Sequence, residues 1–496
     1  MFTDSTSNEI DKVMTEAWEA FHVYRKLSLQ RRADFMKSIA FEIETCGDLL
    51  IQTAMEETNL PEVRLKNERA RTMFQLNQYA TFCEEGSWLN ACIDTAVDDK
   101  NPPKPDIRKM LVPIGPVVVF GASNFPFAYS TAGGDTACAL AAGCSVIVKA
   151  HPAHPKTSTI VANAIYKAVE KCNMPKGIFA HVFGQSFEVG KNLVMHPKTK
   201  AVGFTGSYIG GKQLFDWANQ RKEPIPVFAE MGSVNPIFLL QEKLKKDTSS
   251  LAQNIAASIT LGVGQFCTNP GLIIGIESEE LKLFVHDLGK LIQQTNPAAM
   301  LHSGIVKSYK SKKSESLLQE GVHLVAESEK EVKENEGLPT VATTTGAIFL
   351  NNPLLHQEIF GPFSLVVRCK DLNEMLEVAM HLEGQLTATI MATENDFLQS
   401  SNLVEAIKNI CGRFILNGVP TGVEVCTSMQ HGGPFPASTD SRFTAVGIDG
   451  IKRFARPMSF QNWPTNFLPD ELKNENSQKI WRTVNGKLTK DVIFSN

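Results

Sequence analysis

What these 496 residues lack already narrows their function. The ten cysteines, at positions 46, 83, 92, 138, 144, 172, 267, 369, 411 and 426, form no Cys-x-x-Cys pair, and no His/Cys cluster has zinc-ligand spacing. A metal site is therefore not expected, and scattered thiols suit a reducing compartment in which cysteine behaves as a small buried hydrophobe. Long apolar runs are missing too. Val117-Val-Val-Phe120 falls far short of the roughly 18 residues needed to cross a bilayer. The opening Met1-Phe-Thr-Asp-Ser-Thr6 has no basic stretch leading into an apolar one, so no signal peptide is expected and the reading is cytoplasmic. Nor is there an excess of one charge: 49 basic against 53 acidic side chains leave -4, too little field to hold a polyphosphate backbone. Neither nucleic acid nor membrane is an expected partner.

What is present is a chain of roughly two to four domain-lengths, 43% hydrophobic and 21% charged, enough for a sizeable core without staples. Residues 1 to about 100 read as helical, with apolar positions recurring every three to four residues in Glu16-Ala-Trp-Glu-Ala-Phe21 and onward from Arg31. Asn101-Pro-Pro-Lys-Pro105 then breaks any regular element, because proline lacks an N–H and restricts its predecessor. From about 112, short β-branched runs alternate with amphipathic helices. Strands are predicted at 116–120, 145–149, 178–183 and 201–205, with a helix over 156–172. A second α/β stretch begins near 233, with strands at 236–240, 271–275 and 365–368. Alternation of this kind argues for parallel sheets with ligands at the carboxyl ends of the strands. Residues 310–337 are charged and poor in large apolar side chains, and read as a solvated helix or surface loop.

Four segments carry residue types suited to chemistry. Ser123-Asn-Phe-Pro-Phe127 follows a strand, where the Asn124 amide could donate to a developing oxyanion or simply make a turn. Phe204-Thr-Gly-Ser-Tyr-Ile-Gly-Gly211 leads from strand to helix through glycines. Such a turn lets a pyrophosphate approach the helix N-terminus, although Gly-x-x-x-Gly-Gly is not the Gly-x-Gly-x-x-Gly fingerprint. Phe228-Ala-Glu-Met-Gly-Ser233 places Glu230 at a strand end, as a general base or a capping carboxylate. Gly264-Gln-Phe-Cys-Thr-Asn-Pro270 follows a helix, and Cys267 there is either a buried thiol or a nucleophile.

Taken together, and in this order, the four segments resemble those of the aldehyde dehydrogenase superfamily over nearly the whole chain. The resemblance implies an α/β fold of two parallel-sheet domains with a small β oligomerisation element. It assigns a cofactor-binding domain to 1–232, with 101–112 contributing oligomerisation strands, a catalytic domain to 233–452 and a C-terminal segment to 453–496. It implies Cys267 as nucleophile, Glu230 as general base and Asn124 as oxyanion donor. Ser233 stands where the family has a second glycine. Gly206 and Ser207 are implied beside the cofactor, Lys149 on the adenosine ribose, and Glu358, in Gln357-Glu-Ile-Phe-Gly-Pro362, on the nicotinamide ribose. The implied reaction is NAD(P)-dependent oxidation of an aldehyde to an acid through a thiohemiacetal and a thioester. Retention of Glu230 favours hydrolysis over transfer to coenzyme A. A non-catalytic binding protein that keeps the fold is the rival from another class, and the intact set of nucleophile, base and oxyanion residues argues against it.

One departure bears on the cofactor. The family pattern Lys-x-x-Glu, whose glutamate accepts from the ribose 2'-hydroxyl, here reads Lys149-Ala-His-Pro-Ala-His-Pro155. With Pro152 in the acidic position and His151, His154 and Lys149 nearby, NADP is expected to be preferred and NAD possible. Flanking motifs, among them Ala132-Gly-Gly-Asp-Thr-Ala137, His431-Gly-Gly-Pro434 and Ser438-Thr-Asp-Ser-Arg442, resemble the branch of 2-oxoglutarate semialdehyde (2,5-dioxopentanoate) dehydrogenases and NADP-dependent fatty aldehyde dehydrogenases. A ketoacid semialdehyde needs a cation at its far carboxylate, for which Arg442 is the candidate, with a surface arginine as the alternative; a fatty aldehyde needs an apolar tunnel. Homodimers or homotetramers are implied, built through strands at 101–110 and 481–494.

Overall fold

The computed structural model describes residues 2–494. Four helices come first: Ser7–Tyr24, Leu29–Thr45, Gly47–Thr58 and Glu62–Glu85. The first begins with a capping box, Thr6 accepting from the Glu9 N–H while the Glu9 carboxylate accepts from the Thr6 N–H, a device that contributes about 1 kcal/mol.

A five-stranded parallel sheet follows, in spatial order Phe179–Val182, Val146–Lys149, Val117–Phe120, Ala201–Thr205 and Val227–Glu230. The chain winds outward from Val117–Phe120 on one side, then crosses back to lay down the last two strands on the other. Loops on the two sides of that reversal diverge at the carboxyl ends and leave a crevice there. Strand residues such as Val117, Val118, Ile147 and Val202 are fully buried because helices cover both faces.

The second sheet has seven strands, ordered His323–Glu327, Thr340–Thr345, Phe363–Cys369, Leu272–Ile276, Ile237–Leu239, Gln385–Met391 and Cys411–Leu416. All pair in parallel except His323–Glu327, which runs antiparallel at one edge. That edge strand corrects the expectation of a helix or loop over 310–337. The helix Ser303–Leu317 ends before it, and only Ala326 of the strand is buried, so the apolar signal is faint.

A third sheet orders Ala455–Gln461, Ile107–Pro113, Cys92–Asp94, Arg482–Val484 and Lys487–Thr489. The tail is therefore a tight hairpin and not one long strand. Asn485 and Gly486, both at positive φ, form its two-residue turn, the dipeptide that such hairpins favour.

After Cys411–Leu416 the chain returns to the first sheet. Ser438 bridges Glu230, the Met231 N–H donates to the Ala437 carbonyl at 2.8 Å, and the Thr439 N–H donates to Ala229 at 3.1 Å. This return ties the segment that follows the second sheet to the edge strand Val227–Glu230 of the first. No helix among the described residues is long and apolar enough to cross a membrane.

Candidate active site

Cys267 sits just beyond a backbone segment that few sequences could adopt. Gly262, Val263 and Gly264 all have positive φ, at 56°, 58° and 63°. For Val263 that conformation is a strained one, since a β-branched side chain crowds the following carbonyl. At Gly264 a Cβ would fall 2.3 Å from the carbonyl of Gly361, so no other residue fits without moving that strand's approach. Gln265 then fixes the loop, accepting from the Leu301 N–H at 3.0 Å and donating to the Gly262 carbonyl at 3.2 Å.

Below the cysteine lies a buried polar network from the second sheet. Asn235 donates to the carbonyls of Cys267 and Asn269, both at 2.9 Å, and accepts from Thr387 at 2.9 Å. The Ser233 hydroxyl lies 3.0 Å from Asn235 Oδ1 and 2.9 Å from Gln385 Oε1, and accepts from the Leu386 N–H at 3.0 Å. Ser233 thus gives this chain a hydroxyl that joins the strand end to the network supporting Cys267.

The thiol faces Glu230, the last residue of the first sheet, and His431 from the returning segment. One ligand atom from each of the three lies within 4.8 Å of the others. His431 Nε2 is 3.6 Å from Cys267 Sγ and 3.1 Å from Glu230 Oε1. Both Glu230 oxygens are buried without an aligned hydrogen-bond donor. Burial first, and the adjacent Glu230 carboxylate second, push the Cys267 thiol well above its usual range. Beside them, the Asn124 side-chain amide donates to the Gln265 carbonyl at 3.1 Å, which anchors it. The Cys267 N–H has no backbone acceptor among the described residues. Cys267, Glu230 and Asn124 are thus brought together as the sequence suggested. In the sequence His431 stands only as part of the motif His431-Gly-Gly-Pro434. A signal existed in its Gly-Gly neighbours, but a lone histidine more than 160 residues from the cysteine gives no hint of contact.

The residues expected around a cofactor line the carboxyl ends of the first sheet. Lys149 ends its strand opposite Phe120 and makes no ion pair among the described residues. Burial lowers it to about 8, with Asp4 opposing. Ser207 caps the helix Tyr208–Gln220, accepting from the Gly210 N–H at 3.3 Å. The Gly206 N–H is already taken by the Glu230 carbonyl at 3.0 Å, so Gly206 shapes the turn and offers no donor. Glu358 lies across the crevice against Gly232, where a Cβ would come 2.7 Å from its carboxylate. Burial raises Glu358 to about 7. A lysine without an ion pair among the described residues, a capped helix start and a buried carboxylate are the kinds of group that a nicotinamide dinucleotide requires.

Two expectations need correction. His154 is fully buried with Nε2 2.8 Å from the Ala122 carbonyl, so it braces the loop before Asn124 and is not free for a phosphate. His151 accepts the Ala153 N–H through Nδ1 at 3.1 Å, and burial beside His154 and Lys149 lowers its pKa well below the usual range. It can donate one hydrogen bond but supplies no charge. Pro152 is exposed at the same turn. Arg442 is exposed and forked onto Asp440 at 2.8 and 2.5 Å, the surface arrangement and not a pocket one.

Comparison with known proteins agrees with this geometry. The family model described as the aldehyde dehydrogenase family matches residues 1–445. The alpha-ketoglutaric semialdehyde dehydrogenase of Acinetobacter baylyi is 44% identical over 493 residues, covering 99% of this chain and 93% of the relative. Alpha-ketoglutaric semialdehyde dehydrogenase 2 of Azospirillum brasilense is 43% identical over 488 residues, covering 98% and 93%. Among solved structures, the NADP-dependent glyceraldehyde-3-phosphate dehydrogenase of Bacillus halodurans, complexed with NADP, superposes with a TM-score of 0.77 at 20% identity, covering 92% of each chain. The 1-pyrroline-5-carboxylate dehydrogenase from Thermus with bound NAD gives 0.78 at 21%, covering 92% of this chain and 86% of its own. At such identities these two speak for the fold alone. With the family model spanning both sheets and two relatives matching almost end to end, the chain belongs to the aldehyde dehydrogenase family.

Proposed function

We propose that the protein oxidises 2-oxoglutarate semialdehyde to the dicarboxylic acid, without transfer to coenzyme A. The observation that carries this reading is the meeting of thiol, carboxylate and imidazole within 4.8 Å, beside the Asn124 amide. The names of the two relatives over 40% identical supply the substrate. The Cys267 proton passes to the adjacent Glu230 or His431, which a thiol raised by burial requires before it can attack. Sγ then bonds to the aldehyde carbon, and the oxyanion is held by the Asn124 amide and the Cys267 N–H, each donor contributing about 3 kcal/mol. A nicotinamide dinucleotide, held by Lys149, Ser207 and Glu358, supplies the hydride acceptor when bound. Once that first proton has left for bulk water, Glu230 takes a proton from the water that attacks the thioester carbon and returns it to Sγ as the C–S bond breaks, so Cys267 leaves as the thiol and the acid departs.

We read the thiol, carboxylate and imidazole as catalytic groups and not as metal ligands, because a metal bound to the sulfur would withdraw the electron density with which it attacks and would tie up the carboxylate needed as base. For the nucleotide, the lack of an acid at Pro152 favours NADP. Glu57 keeps NAD possible: its carboxylate accepts from the Lys156 and Thr157 N–H groups at 2.9 and 2.8 Å, which puts negative charge at the start of the next helix. A fatty aldehyde is the second reading, favoured by the rings of Phe125, Phe266 and Tyr129 clustered beside the site. All ten cysteines are free, in keeping with a cytoplasmic setting. Trp463, Phe467, Trp481 and Leu488 are exposed along the third sheet, which supports assembly of copies through it. Mixing the protein with the semialdehyde or an alkanal, plus NAD or NADP, and following reduced nicotinamide tests the reading directly. No turnover with any pair would sink it.

A further inference from the structure

The face of the helix Glu62–Glu85 that looks into the site carries Arg64, Glu68 and Arg71, four and three residues apart and therefore in line. Arginines are rarely drawn into a pocket without an acid for each. Here one buried acid serves two and is in salt-bridge contact with neither among the described residues: Glu68 Oε1 accepts from the Phe127 and Ala128 N–H groups at 2.8 and 3.0 Å, while Oε2 has no hydrogen-bond partner. Arg64 lies between the rings of Phe125 and Phe266, at 4.9 and 4.7 Å, and donates to the Asn124 carbonyl at 2.7 Å. Arg71 lies over Tyr129 at 5.9 Å and approaches its hydroxyl at 3.3 Å. A third arginine comes from the opposite wall. Arg413, on the last strand of the second sheet, pairs in register with Thr387, so both project from the same face. Thr387 bonds Asn235, which bonds the Cys267 carbonyl.

Each guanidinium keeps a buried N–H without an acceptor: Nη1 of Arg64, Nε of Arg71 and Nε of Arg413. Arg413 donates to the Pro420 and Gly422 carbonyls, at 2.6 and 2.9 Å, which orients it without neutralising it. The charge of Arg71 opposes the upward push on the Cys267 thiol, and Arg413 in turn senses Cys267 and Tyr129. Buried unpaired donors on three cations, two of them, Arg71 and Arg413, within electrostatic reach of Cys267, describe a place that awaits an anion.

We propose that Arg71 and Arg413, with Arg64 behind them in the aromatic clamp, form the subsite that receives the carboxylate at the far end of the aldehyde substrate. This rests on the proposed reaction at Cys267 and deepens it: the substrate class becomes short aldehydes bearing a terminal carboxylate. The fork geometry of arginine suits such a group, and the rings on either side exclude water that would otherwise screen the pair.

The test compares kcat/KM for 2,5-dioxopentanoate with that for pentanal, in the wild type and in Arg71→Met and Arg413→Met. The expected wild type prefers the carboxylate substrate strongly. In each variant the ratio falls about 10- to 100-fold, the usual range for losing a charge-assisted hydrogen bond. Arg71→Lys keeps charge without the fork and is expected to fall between. A readout apart from turnover is the alkylation rate of Cys267, which 2-oxoglutarate slows in the wild type but not in Arg413→Met. A wild type that turns over aldehydes without preferring the carboxylate overturns the substrate class. A preference that survives in both methionine variants, or an equal loss on both substrates, overturns the subsite alone.

Discussion

The Cys267 pocket and the proposed cofactor crevice meet at Glu230 yet are built in opposite ways. Around Cys267 the backbone is over-determined: Asn235, Ser233, Gln385 and Gln265 hold the loop through buried bonds from several elements. Around Lys149 the side chains are underused, with a lysine that pairs with nothing among the described residues and a carboxylate raised by burial. One region has settled its geometry before any ligand arrives. The other keeps polar groups in reserve for the ligand to complete. Preorganisation belongs where the reacting atoms must be placed to a fraction of an ångström, and reserve belongs where binding energy is gained.

Perturbing each region separates the two designs. Cys267→Ala should reduce steady-state turnover on the order of 10⁴-fold or more while leaving dinucleotide binding measurable by fluorescence; loss of both together would mean that the regions are not distinct. Glu230→Gln is expected to retain a burst of reduced cofactor but to turn over about 10² to 10⁴-fold more slowly, and unchanged turnover would refute the base. Asn124→Ala should lower kcat about 10² to 10³-fold with little change in KM for the dinucleotide. On the crevice side, Lys149→Ala should raise that KM roughly 10-fold and leave kcat within a few-fold. Glu358 offers a pH test. Raised to about 7, it is neutral below that value and a ribose acceptor above it, so dinucleotide affinity should improve as pH rises from below to above neutrality. A flat profile, or one that persists in Glu358→Gln, removes that role. For stability the sign is the reverse. The folded state binds the proton more tightly than the unfolded one, so this group's contribution declines as pH climbs from about 4.5 to 7.

The two regions were also unequally legible. The alternation of β-branched runs and amphipathic helices reads well because both parallel sheets are buried on both faces, so nearly every strand announces itself. Edge strands do not. His323–Glu327 pairs on one side only and buries little, and the tail hairpin depends on Asn485-Gly486, a two-residue cue inside an alternating stretch. Cys267, Glu230 and Asn124 stand in local motifs and could be read from their neighbours. His431, Arg71 and Arg413 could not, because each earns its place through a long-range fold contact. His154 misled for the same reason: its Pro-flanked setting looks like a ligand-facing turn, while the tertiary structure turns its ring inward onto Ala122.

The return of residues 437–439 to the edge of the first sheet has a consequence for how the molecule fails. His431 lies just before that seam, Glu230 lies in it, and Cys267 stands in the loop that leads into the second sheet, so the proposed catalytic group exists only while the clasp is shut. Local opening there would disassemble the chemistry while both sheets remained intact. Inactivation on warming is accordingly expected to precede the loss of helical signal, and a ligand that bridges the seam is expected to delay it.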